Sequence, residues 1–234
     1  MLLGLLIPDA GQVHLFGEPP SQVIRRRIGY MPQGLGLYED LTVAQNLEFR
    51  ARVFGIDRPV LDEELAGLGG TLVTDLPLGL RRRVAFVAAL AHSPDLLILD
   101  EPTSGVGPLG RAQLWGTIHE AADAGTGVLV TTHHMDEAEQ CSRLVFLSAG
   151  RDVFSGTVEE ILAGQTTLEI TPNDPAGALA VLEGAGLPVL PAGQRLRLPG
   201  TAPDDVRSVL DEAVPMIETP SSLEEAFMTM VAAG

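Results

Sequence analysis

Apolar and polar residues fall into blocks of two kinds along this chain. Two short apolar runs, residues 96–99 and 128–130, lack alternation and are too short for helices, which fits strands buried on both faces of a parallel sheet. Other blocks recur every three or four residues. Val43, Leu47, Arg50, Ala51 and Phe54 fall on related faces of a helix that Thr42 can cap and that Gly55 and Pro59 end. A second helix is predicted over 80–92, with Val84, Val87, Ala88 and Ala91 inward and Pro94 closing it. Pro108 opens a third at a favoured first-turn position; it runs to about Ala124 and breaks at 125–127.

The remaining segments are shorter. Residues 1–7 predict the tail of a helix closed by Pro8, too short to stand without tertiary packing. Residues 12–16 alternate and predict a strand; 28–31, 143–148 and 152–155 predict three more. Gly67, Gly69 and Gly70 predict a loose connection over 57–74. Arg25, Arg26 and Arg27 predict a solvated basic run, and Asp136, Glu137 and Glu139 solvated charge on a short helix. Another helix starts at Gly156-Thr157 and runs through 160–163.

Gly164 marks the predicted boundary between a large domain, 1–164, and a small one, 165–234. Past it come a strand (167–171), a helix (175–184), strands (187–190 and 195–198), a helix (204–213) and a strand (214–218). This βαββαβ order is ferredoxin-like. It carries no nucleophile, metal cluster or glycine loop, which predicts a regulatory or interaction module. In the tail, Leu223, Ala226, Phe227 and Met230 share one face, predicted to dock back on the protein.

With 234 residues and 45% hydrophobic content, a sizeable core is expected. A net charge of −16 argues against nucleic acid as the main partner. The single cysteine, Cys141, excludes an internal disulfide and fits a reducing compartment. No apolar run approaches the roughly 20 residues of a membrane span. The opening MLLGLLIP lacks a basic leader and a cleavage site, so a signal peptide is not expected.

Candidate chemistry sits where the apolar runs stop. Asp100 and Glu101 follow residues 96–99, at the carboxyl end of a strand, where such sheets bind ligands. The aspartate suits Mg²⁺, a hard cation that takes oxygen ligands. The glutamate could orient a water for attack on a phosphate. A strand that merely ends in a polar turn is the alternative. His133 follows the second run, a place where a histidine on its own is more often structural. All 15 basic residues are arginine, so the phosphate-cradling loop GxxxxGK[ST] has neither its lysine nor its glycine spacing here.

Residues 96–105, LLILDEPTSG, resemble the Walker B motif of ATP-binding cassette (ABC) transporter ATPases. Neighbouring motifs agree in order and spacing over essentially the whole chain, with the nearest likeness to ATPase subunits of bacterial drug- and lipid-exporting systems of the daunorubicin-resistance type. The tail PSSLEEAFM resembles that of the same exporters. The resemblance implies an α/β, P-loop NTPase-like core over 1–164 with a helical subdomain at about 41–93. That core is incomplete, because the Walker A strand is missing. A small ferredoxin-like α+β domain over 165–234 follows it.

By the same resemblance Asp100 holds Mg²⁺ and Glu101 is catalytic. Gln33, in Met31-Pro32-Gln33, would contact Mg²⁺ and the attacking water, and its loop would face the membrane subunit. His133 would contact the γ-phosphate, and Gly79, in the signature-like stretch 76–83, would bind nucleotide. Three departures weaken the match. Pro77 and Leu78 stand where the signature has serine and glycine, and Gly107 stands where an aspartate is expected. The implied cofactors are ATP and Mg²⁺. The implied partners are an integral membrane permease and a like or unlike ABC ATPase in a dimer, with no nucleic acid. The implied location is the cytoplasmic face of the membrane.

Three functions remain open on the sequence. The chain is an exporter ATPase subunit, as a truncated or mis-started copy or one that has lost its loop. Or it is a non-catalytic pseudo-ATPase that docks or regulates a partner. Or residues 167–218 form a ligand sensor.

Overall fold

The computed structural model describes residues 1–59, 61, 63–210 and 214–233. They form two compact units, Met1–His133 and His134–Gly234.

The first unit is built on a parallel three-stranded sheet, β1 (Ile28–Met31), β2 (Leu96–Asp100) and β3 (Gly127–Thr131), with β2 in the middle. Leu97 and Leu99 of β2 are wholly buried, as a continuous apolar strand requires. Among the described residues this unit has the helices α1 (Gln22–Arg25), α2 (Val43–Phe54), α3 (Glu63–Gly67), α4 (Leu78–Leu90) and α5 (Pro108–Asp123). Thr42 and Gln45 form a capping box at the start of α2, and Gly55 ends it in the left-handed conformation at φ 67°. Val43 and Leu47 of α2 share a core with Leu65, Leu76, and Val84 and Ala88 of α4. Helix α4 is buried on both sides and also packs on β1, where Gly29 admits it closely. It starts two residues before the predicted Leu80, directly after Pro77.

Several expectations for this unit are corrected. Residues 1–7 are turns, not the tail of a helix. One or two turns cannot offset the cost of nucleation, and Gly4 sits at φ 67°. Only Leu3 of that segment packs, against Ile24, Ile28 and Ile98. Residues 12–16 make no strand, only an isolated bridge between Leu15 and Glu18. Strand β3 is not buried on both faces. Among the described residues it pairs on one edge alone, and Leu129 is 41% exposed. The connection over 57–74 holds α3, a 3₁₀ turn at Val73–Asp75 and a bridge from Thr42 to Leu72.

The second unit opens with a short helix, α6 (Met135–Ala138), and an antiparallel hairpin, β4 (Leu144–Ser148) and β5 (Arg151–Gly156). Glu137 is 1% exposed, so it is not solvated charge: α6 turns it inward beside Ala138. Then come α7 (Val158–Leu162), β6 (Thr166–Ile170), α8 (Pro175–Gly184), β7 (Leu190–Ala192), β8 (Arg195–Pro199), α9 (Pro203–Val209), β9 (Met216–Pro220) and α10 (Leu223–Ala233). The last three residues of the helix predicted over 204–213 lie outside the described residues.

Strands β7-β8-β6-β9 form one antiparallel sheet in that order, the arrangement expected of a ferredoxin-like βαββαβ unit. Its core joins Leu168, Ile170, Leu196 and Leu198 to Leu182 of α8 and Val206 of α9. The tail helix α10 docks as predicted: Leu223 and Ala226 are buried with Leu144, Phe146 and Ile161, and Phe227 and Met230 pack beside them. This shared core explains why the units divide at His133/His134 and not at Gly164. The hairpin and α7 lie before Gly164 but are covered by a helix from the end of the chain.

Polar groups fix α10 further. Arg197 of β8 pairs with Glu225 and with Glu169, and the Ser222 amide donates to Glu225 Oε2 at 2.7 Å. No helix among the described residues is long and apolar enough to cross a membrane.

Candidate functional site

Parallel pairing places Asp100 of β2 opposite Thr131 of β3, so the carboxyl ends of the two strands coincide. Thr131 Oγ1 donates to Asp100 Oδ1 at 2.6 Å, which fixes the plane of that carboxylate. The chain then leaves the sheet abruptly. Glu101 adopts φ 46°, a left-handed conformation unusual for a residue with a side chain. Its N–H donates to the Thr131 carbonyl at 3.0 Å, with Thr131 Oγ1 at 3.3 Å.

This turn aims the Glu101 carboxylate at two other predicted residues. Gln33, two residues past β1, donates from Nε2 to Glu101 Oε2 at 3.2 Å. His133, two residues past β3, brings Nδ1 to Glu101 Oε1 at 3.2 Å. All three strands thus send a polar side chain to one point. That point is open to solvent, the Glu101 side chain being 27% exposed and that of His133 60%.

Gly79 is placed elsewhere, on the first turn of α4 beside Val106. It has no hydrogen bond to the Glu101 group among the described residues. Leu78, next to it, is exposed and crowds Gly105, whose absent Cβ would lie 2.8 Å from Leu78 Cδ2. Pro77 caps α4 with no side-chain bond, and Gly107 does the same for α5.

Two residues of the site were not singled out from the sequence, Thr131 and Arg82. Arg82 is 5% exposed and donates from Nη1 to the carbonyls of Glu101 and Pro102 at 2.8 and 3.2 Å. Its signal was present: Arg82, Phe86 and Ala89 fall on one face of α4, and both apolar members are buried.

The family model described as ABC transporter matches residues 1–104. Nod factor export ATP-binding protein I of Burkholderia lata is 33% identical over 98% of this chain and 82% of its own length. This chain belongs to the ABC transporter ATP-binding family. A probable multidrug ABC transporter ATP-binding protein of Escherichia coli, YbhF, is 39% identical over 70% of this ABC chain, which spans 30% of that protein's length. A solved structure of an ATP binding subunit of an ABC transporter aligns with a TM-score of 0.61 and 28% identity, covering 69% of this chain and 73% of that one.

The residues of this ABC chain fit one of the family's two cofactors and not the other. Asp100 spends Oδ1 on Thr131, and Gln33 spends its amide N–H on Glu101. Oδ2 of Asp100 and Oε1 of Gln33 are hard oxygen donors suited to Mg²⁺, which takes few protein ligands and completes its shell with water and phosphate. A phosphate cradle is another matter: the 234 residues contain no lysine and no GxxxxGK[ST].

Proposed function

We propose that the chain is the ATP-binding subunit of a bacterial exporter of the daunorubicin-resistance type, energising export through a separate membrane subunit. Residues 1–234 carry no lysine and no GxxxxGK[ST], so the phosphate grip of that subunit is not among them. The observation that carries the reading is the convergence of Asp100, Glu101, Gln33 and His133 at the strand ends. The names of its relatives, multidrug and Nod factor export proteins, support the exporter class.

In this reading Glu101 is the group that takes or orients the proton of an attacking water. Gln33 and His133 hold its two oxygens in place. Thr131 orients Asp100, and a bound Mg²⁺ would neutralise developing phosphate charge. Gly79 is proposed to meet nucleotide from the first turn of α4. The face for the permease is proposed at the hollow of about 420 Å³ lined by residues including Tyr38, Asn46, Phe49 and Arg50, where Tyr38 and Phe49 are exposed and stack edge to face. Helix α2, in the helical region at about 41–93, forms one wall of it; residues 165–234 serve as an interaction or regulatory module, and the location is the cytoplasmic membrane surface.

The phosphate grip decides how much of this the polypeptide does alone. A charge-assisted hydrogen bond contributes about 1.5–3 kcal/mol, so three or four absent ones amount to roughly 5–10 kcal/mol. Micromolar affinity is about 8 kcal/mol in all. Purified chain is therefore expected to retain no ATP in equilibrium dialysis, with or without Mg²⁺. Given a GxxxxGK[ST] segment ahead of Met1, the chain is expected to hydrolyse ATP, and the Glu101→Gln variant of that extended chain is expected not to. Tight Mg²⁺-dependent retention by the chain alone would sink the account of the grip. The second reading, a pseudo-ATPase that docks or regulates, is favoured by Pro77, Leu78 and Gly107. It requires binding to the partner with no change in turnover on Glu101→Gln.

A further inference from the structure

We propose that Arg82 is a positioning residue for Glu101, and that through it the first turns of α4 and the water-orienting carboxylate are held as one piece. The inference rests on the role given to Glu101 above. Its evidence is the backbone of that residue. A non-glycine residue at φ 46° persists only where its surroundings over-determine it. The surroundings do so from two elements. Thr131 of β3 accepts the Glu101 N–H, and Arg82 of α4 donates to the Glu101 carbonyl and to the next one, at Pro102. The two peptides flanking the Glu101 Cα are both pinned, so its side chain has one direction in which to leave.

Arginine suits this task. Its Nη1 bridges two successive carbonyls, and its charge strengthens both bonds in a place that water barely reaches. Arg82 stands three residues after Gly79, one helical turn on, so a displacement of the α4 start reaches Glu101 without passing through the sheet. Arg82 acts through the backbone of Glu101.

The test uses the full ¹⁵N-labelled chain without nucleotide. In Arg82→Met, the Gln33 side-chain amide is expected to move to the position of a free amide. The Glu101 N–H is expected to exchange about tenfold faster, while those of Leu97 and Leu99 in β2 keep their protection. Arg82→Lys is expected to recover part of both effects. An unmoved Gln33 amide with unchanged Glu101 exchange overturns the proposal, and so does an equal loss of protection at Leu97 and Leu99.

A second arm covers poor folding. Glu101→Gly lets position 101 take its left-handed conformation freely. The drop in Tm caused by Arg82→Met is then expected to shrink by about half or more in that background. Equal drops in both backgrounds overturn the proposal. Neither arm depends on ATP, so failure of the exporter reading, seen in the turnover assay, is distinguishable from failure here.

Discussion

Two titratable side chains give the chain two separate acid sensitivities. His92 stacks on Phe54 with ring centroids 3.8 Å apart, and its Nε2 meets the Ile28 carbonyl at 3.1 Å. Burial lowers its pKa below 6.5; the Ile28 bond opposes this and nearby Arg50 adds to it. A base depressed in the folded state takes up protons more readily when unfolded, so its cost appears as pH falls below 6.5. Glu225 behaves otherwise. Burial alone would raise its pKa, but bonds from Arg197, the Ser222 amide and Thr167, with the Arg197 charge, hold it at about 2 against 4.5. Its stabilisation is complete above pH 4.5 and is lost as pH falls toward 2. The gap corresponds to roughly 3 kcal/mol. Urea unfolding across pH 7 to 2.5 is expected to show both losses. His92→Phe, which keeps the stack, removes the first; Glu225→Gln removes the second and is less stable at pH 7. A Glu225→Gln curve parallel to that of the wild type below pH 4.5 would contradict this account. At this scale the sequence announces Asp100, Glu101 and His133 because they follow apolar runs, and Gln33 only through the resemblance of residues 31–33. Arg82 is legible only through its place on the face of α4 shared with Phe86 and Ala89, a spacing that the arginines on either side of it obscure.

Helix α2 shows what is legible at the level of elements. Thr42, the apolar spacing after it, and Gly55 are a start, a face and a stop, each readable without a structure. Thr42→Ala is expected to cost about 1 kcal/mol in thermal or urea unfolding, through the lost cap bond to the Gln45 amide. Gly29 is the opposite case. Nothing in residues 28–31 says that α4 passes so close to β1 that a Cβ there would overlap the Ala89 carbonyl oxygen and approach Pro94. Gly29→Ala is expected to cost about 1–3 kcal/mol by forcing the two elements apart, and an unfolding midpoint equal to that of the wild type would show that α4 shifts freely. The exposure of β3 was hidden for a related reason. An apolar strand reads the same in the centre of a sheet and at its edge, and only pairing tells them apart. The helix predicted over 1–7 does not form, because its one residue packed in a core cluster, Leu3, cannot offset the cost of helix nucleation.

For the whole molecule, the balance is between charge that repels and apolar surface that attracts. The division at His133/His134 could not be read along the chain, because the tail helix completes a core begun by Leu144 and Phe146. The hairpin's other face stays bare: Val145 and Leu147 of β4 are 58% and 67% exposed. Leu5, Leu6 and Ile7 are exposed as well, and β3 and β4 each pair with a strand on one edge only among the described residues. Apolar side chains beside unpaired strand edges favour association between copies. A net charge of −16 opposes it, but only over about 10 Å at 0.1 M salt and about 3 Å at 1 M. Sedimentation velocity of the purified chain is therefore expected to show self-association that grows as sodium chloride is raised. A Val145→Thr, Leu147→Thr variant is expected to lower it at every salt concentration, since it removes apolar area from the strand and leaves the charge unchanged. A clean monomer at low and high salt would show that these edges are not sticky. Association in the double variant equal to that of the wild type would place the contact elsewhere, with the exposed Leu5-Leu6-Ile7 stretch the next to change.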